Sequence, residues 1–182
     1  MIADRLLTGI SQLVSTAGVG AARGAAMSNL DMISDAAIAI AGDQIAWVGP
    51  RTEWHGNATT EQDLGDRAVV PGLVDPHTHA VWAGDRLTDF EARVSGVSYE
   101  SILANGGGIR STMRHTAAAS ADALFNLAEP RLRALMRSGA TTIEVKSGYG
   151  FTKEAELLSL GVIAALANRC QMGIESTLLI HV

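Results

Sequence analysis

The chain has 182 residues, 47% of them hydrophobic and 18% charged, with a formal net charge of −5, the balance of a soluble globular protein with a sizeable core. Its 14 basic residues are scattered singly, so no block of them would hold a nucleic-acid backbone or an anionic membrane. Asp4 and Arg5 stand where a secretory signal needs its apolar segment, no apolar run is long enough to span a bilayer, and the lone Cys170 excludes an internal disulfide, so the expected setting is a reducing cytoplasm.

In chain order, "RLLTGISQLV" and "AAIAIAGDQIAWVG" read as strands. The second segment turns at Gly42-Asp43, with Ile38 and Ile40 on one face of an alternating pattern. Between them "STAGVGAARGAAMSN" has no period and reads as a loop. Residues 1–66 are therefore expected to form a small β region.

From residue 67 to 182 the pattern alternates strand and helix. "AVVPGLVD" is the near-continuous apolar run of a strand buried on both faces. Ser98 is placed to cap a short helix through Leu103, and Ser120 to cap another along Leu124, Leu127, Leu132 and Leu135. Pro130 is expected to kink that helix or divide it in two, and Gly139 to stop it before the strand "ATTIEVK". Thr152 caps a last helix whose first turn carries Glu154 and Glu156, where acidic groups favour the positive helix end. "IESTLLIHV" closes the chain as a further strand.

This order implies parallel pairing with right-handed crossovers. Three units are visible, whereas an eight-unit barrel takes about 250 residues. An apolar strand at the end would leave an open edge. The expectation is that the chain is the front part of a longer protein.

The segment "PGLVDPHTHA" places His77 and His79 one residue apart where a strand ends. Residues i and i+2 share a strand face, so the two imidazoles can converge on one metal ion, and Asp75 shares that face. The alternative is two surface histidines. Arg86, in the polar loop "WAGDRLTDFEAR", can clamp a substrate carboxylate or simply pair with Asp85 or Asp89. Tyr99 and Tyr149 can pack or donate a phenol hydrogen bond. "NGGGIRST" reads as a mobile lid, because it lacks the following lysine of a phosphate loop. Lys146 is a general-base or metal-bridging candidate, or the partner of Glu144 or Asp75. His181 lies at the same mouth of the expected barrel, and His55 and His115 read as surface loop residues.

"VVPGLVDPHTHAVWAGDR", "SYESILANGGGIRST", "TTIEVKSGYG" and "STLLIHV" together resemble the imidazolonepropionase family of the amidohydrolase superfamily, over essentially the whole chain. The resemblance implies the front part of a metal-dependent-hydrolase (β/α) TIM-like barrel preceded by a small β-sandwich region. It implies hydrolytic opening of the imidazolone ring of 4-imidazolone-5-propanoate to N-formimidoyl-L-glutamate in histidine degradation. One zinc or iron ion per chain and a homodimer are implied for the complete enzyme. By position, His77 and His79 match the first two metal ligands, Arg86 the arginine that grips the propionate, and Tyr99, Tyr149 and His181 residues lining the substrate pocket. Near His181 the family pattern is T-x-L-G-A-H, and "TLLIHV" is one residue shorter. The remaining ligands and the proton-shuttling glutamate are implied beyond Val182, so the chain alone is expected to be inactive. Other readings are a dihydroorotase- or cytosine-deaminase-type amidohydrolase, or a non-catalytic remnant.

Overall fold

The computed structural model describes residues 1–16 and 20–180. It divides into two compact units, Met1–Pro71 and Gly72–Val182. None of the helices among the described residues is long and apolar enough to cross a membrane.

In the first unit, β1 (Ile2–Ser15) lies between β2 (Asp31–Ala41), its antiparallel neighbour, and β4 (Asn57–Val69), its parallel one. β3 (Gln44–Pro50) continues the sheet antiparallel to β2. The β2–β3 turn falls at Gly42 as expected. Its φ of 61° is one that glycine adopts without strain, and its N–H is held by the Asp4 carboxylate at 2.6 Å. Alternation along β2 feeds two apolar clusters: Ala37 and Ala39 join Ala3 and Leu6, while Ala36 and Ile38 join Ile10 and Leu13. Before Ala68, β4 has no counterpart in the sequence reading, because most of its side chains are exposed and no apolar alternation marks it.

The expected single strand "AVVPGLVD" is two. Ala68 and Val69 close β4, and β5 (Leu73–Thr78) begins after Pro71, which has no N–H to give to a ladder. In the second unit β5, β6 (Ala140–Lys146) and β7 (Gly173–Thr177) form a parallel sheet in the order β5-β6-β7. Between β5 and β6 run α1 (Leu87–Val94), α2 (Tyr99–Ala104), α3 (Ile109–Ala118) and α4 (Ala121–Arg137), and α5 (Lys153–Ala167) links β6 to β7. Ser98, Ser120 and Thr152 cap α2, α4 and α5, each accepting a backbone N–H at 3.2 Å. Leu124 and Leu132 of α4, Ile143 of β6, and Ile163 and Leu166 of α5 are essentially fully buried in one core.

Three further expectations give way, and so does one of the two outcomes expected at Pro130. The polar loop after His79 contains α1, and the glycine-rich segment opens α3 rather than forming a free lid, since Asp89 accepts the Gly108 N–H at 2.7 Å. Pro130 does not divide α4, which runs unbroken for 17 residues. Proline costs a helix interior about 3 kcal/mol, and the fully buried Leu124, Ala128 and Leu132 on the same helix outweigh that at about 1.5–3 kcal/mol per large side chain. The last strand ends at Thr177, not at the chain end.

Candidate functional site

The C-terminal ends of the three parallel strands bring the site together. At the end of β5, the Asp75 carboxylate accepts the His77 N–H at 3.2 Å, and the Thr78 hydroxyl donates to the Glu144 carbonyl at 2.6 Å. The register slips between Asp75 and Thr78. The two imidazoles then stand with ring centroids 5.6 Å apart and planes at 63°. His77 is exposed and His79 half-buried. His79 Nδ1 is a buried polar atom with no hydrogen-bond partner among the described residues. Burial, then the neighbouring His77 and Lys146, hold the His79 imidazole below its ordinary pKa, which favours the neutral form that ligates metals.

β6 and β7 supply a polar cluster beside the pair. Lys146 Nζ lies 2.5 Å from Glu144 Oε1, and the Thr177 hydroxyl donates to the same oxygen at 2.5 Å. Of the partners open to Lys146 on sequence grounds, Glu144 is the one it takes. These hydrogen bonds hold the Glu144 carboxyl below the usual carboxylate range.

A second part of the site lies along the chain after His79. Ala80, Val81 and Ala83 are buried. Arg131 of α4 donates to the Ala80 and Trp82 carbonyls at 2.9 and 2.7 Å, with its guanidinium 3.5 Å from the Trp82 ring centroid. From α3, Thr116 accepts the Ala83 N–H at 3.0 Å, and Thr112 accepts Arg86 Nε at 2.9 Å. Arg86 thus borders a cleft of about 430 Å³ lined by Trp82, Asp85, Arg86, Thr112 and Tyr149. The Tyr149 ring also lies 5.1 Å from that of His79, so one tyrosine joins the cleft to the histidine pair.

Tyr99 sits apart, exposed, with the Arg93 guanidinium 6.0 Å from its ring centroid. His181 lies outside the described residues. His55 and His115 are exposed, but His115 belongs to α3 rather than to a loop, its Nδ1 2.8 Å from the Ser111 carbonyl. Sequence reasoning missed Thr112, Thr116 and Arg131. The i,i+4 threonine pair on one helix face was the available signal for the first two.

Two imidazoles, one with an unpartnered buried nitrogen, fit two positions of a metal shell. Among the described residues no group of three or more His, Cys, Asp and Glu is arranged to hold an ion.

Relatives of the chain include several imidazolonepropionases. It is 58% identical over 181 residues to the imidazolonepropionase of Deinococcus radiodurans, 59% over 179 residues to that of Deinococcus deserti, and 49% over 166 residues to that of Chloroflexus aggregans. The chain is related to the imidazolonepropionases. The alignments take in 100%, 98% and 90% of this chain and 44%, 44% and 39% of those enzymes, so it spans under half the length of the imidazolonepropionases it matches. No family model matches it. Among solved structures, Escherichia coli guanine deaminase aligns over 94% of the chain and 35% of its own length, with a TM-score of 0.59 and 16% identity. A triazine hydrolase variant aligns over 96% and 35%, with a TM-score of 0.54 and 15% identity. At that identity the likeness concerns the fold alone: a β-rich region followed by the first strand–helix repeats of a (β/α) barrel.

Proposed function

We propose that this chain supplies part of the active site of a cytoplasmic, metal-dependent hydrolase, homodimeric when complete. The enzyme opens the imidazolone ring of 4-imidazolone-5-propanoate to N-formimidoyl-L-glutamate in histidine degradation. In this reading residues 1–66 form the β-sandwich region and residues 67–182 the first barrel units. The observation that carries it is the shared cleft of Arg86 and Tyr149, with Tyr149 also against His79, in a chain related along its length to imidazolonepropionases.

His77 and His79 would hold one zinc or iron ion, and the ion supplies Lewis acidity for hydrolysis. Arg86 binds the propionate. Its Nε is committed to Thr112, which leaves the two terminal nitrogens as a planar fork for a carboxylate. Tyr149 closes the path between that carboxylate and the histidine pair, with Tyr99 and His181 as further pocket residues. The Glu144–Lys146 pair binds its own charges internally, and no residue of this chain is assigned the proton transfer.

The test is a chimera in which this chain replaces the matching part of the Deinococcus radiodurans enzyme. It is expected to hydrolyse imidazolone propionate and to carry one metal ion per chain, and His77→Ala is expected to remove most of that metal. Elemental analysis showing undiminished metal in the variant would reject the ligand assignment. A folded chimera that leaves the substrate intact would reject the activity.

A further inference from the structure

We infer that Glu156 is a positioning residue: it fixes the Tyr149 ring against His79 by binding the two glycine amides that flank the tyrosine. Gly148 N–H donates to Glu156 Oε2 at 2.7 Å and Gly150 N–H to Oε1 at 2.6 Å. The glutamate is 5% exposed, so these amides stand in for water at both of its oxygens. One carboxylate spanning the peptides on both sides of a residue leaves that residue little freedom to slide or rotate.

The rest of the "KSGYG" segment serves the same clamp. Ser147 N–H donates to the Thr177 carbonyl at 3.0 Å, and the Ser147 hydroxyl accepts the Leu179 N–H at 3.1 Å, which ties the near side to the chain around the end of β7. On the far side, a Cβ on Gly150 would lie 2.7 Å from the Ala155 carbonyl carbon and the Glu156 nitrogen. Only glycine lets the backbone close onto the first turn of α5. Favouring the positive end of α5 asks for no burial, and the exposed Glu154 meets that requirement. Glu156 is turned inward, and the segment it holds has one side chain reaching both His79 and the Arg86 cleft. The kinetic consequence rests on the proposed function; the placement of the ring does not.

The test reads placement first. The chain has two tyrosines, so 3-fluorotyrosine gives one ¹⁹F signal each for Tyr99 and Tyr149, assigned with Tyr149→Phe. In Glu156→Gln the amide keeps one acceptor oxygen and sets an N–H₂ against a glycine N–H. The Tyr149 signal is expected to shift toward free fluorotyrosine while the Tyr99 signal, in the same unit, stays in place. A Tyr149 signal unmoved beside an unmoved Tyr99 signal overturns the inference. If Glu156→Gln displaces both signals by unfolding, Gly150→Ala decides: it crowds the loop off α5 with the carboxylate intact, and a shifted Tyr149 signal supports the clamp where an unshifted one overturns it. In the chimera, Glu156→Gln is expected to raise KM about tenfold and to add nothing in a Tyr149→Ala background, because its effect passes through that ring. Additive losses would show a merely structural glutamate. A parent chimera without ring hydrolysis counts against the proposed substrate, and the fluorine signals then judge the clamp alone.

Discussion

Arg86 is exposed, yet its Nε is held by the buried Thr112, and an arginine fixed at Nε presents its remaining donors in one plane. Lysine has a single rotating ammonium and no such plane. Arg86→Lys is therefore expected to raise KM for imidazolone propionate about tenfold or more in the chimera; unchanged kinetics would remove the residue from substrate binding. Arg131 packs against the chain that follows His79. It satisfies two carbonyls and covers the Trp82 ring, so Arg131→Met is expected to cost about 2 kcal/mol in urea unfolding, most of it from the carbonyls left without donors. Cys170 gives a pH-dependent check on local burial. Burial and the nearby Glu129 push its thiol up, so less thiolate is present at any pH below its folded pKa. Its alkylation at pH 8 should be slower than that of free cysteine, should still be rising past pH 9, and should lose that difference on unfolding.

Among the elements, α4 carries the clearest conflict between local preference and packing. Pro130 is exposed while Leu124, Ala128 and Leu132 of the same helix are fully buried. Pro130→Ala should restore a helical N–H, partly offset by the freer unfolded chain, for a net gain of about 1–2 kcal/mol in denaturant unfolding. A loss on that substitution would mean that the proline shapes α4 rather than merely straining it. The caps of α2, α4 and α5 were legible because donor and acceptor lie three residues apart. α3 had no such signal. Its N-cap is Gly108 at a φ of 63°, and the N–H of that glycine is taken by Asp89, from α1. α1 itself buries none of its residues and exposes Leu87, Phe90 and Val94, so its apolar spacing follows no core.

At the scale of the whole molecule, β5 and β7 are the outer strands of the parallel sheet, and among the described residues neither has a neighbour on its far side. Leu73 and Val74 on β5 are more than half exposed. Two histidines with no third donor among the described residues make a weak site, since catalytic zinc is ordinarily held by three protein ligands. The 182-residue chain alone is therefore expected to bind zinc weakly and to show no ring hydrolysis, whereas the chimera should gain tight metal and turnover together. A chain that hydrolyses substrate unaided would show that its own residues complete the site.

The sequence by itself determined the local features: the first three strands with the Gly42 turn, three helix caps, the strand–helix alternation, and two histidines one residue apart at a strand end. Each is written in neighbours a few residues apart, where hydrogen-bond geometry and side-chain period act directly. Tertiary structure alone decided which partner each polar group takes. Lys146 and Thr177 meet on Glu144 because parallel register sets β7 beside β6. Thr112 reaches Arg86 because α3 packs against the chain leaving β5. Glu156, which on sequence is one more acidic residue at a helix start, turns inward because Gly148 and Gly150 bring two amide donors to it. A one-dimensional pattern states which residues share a face; only the packed fold sets what lies opposite that face.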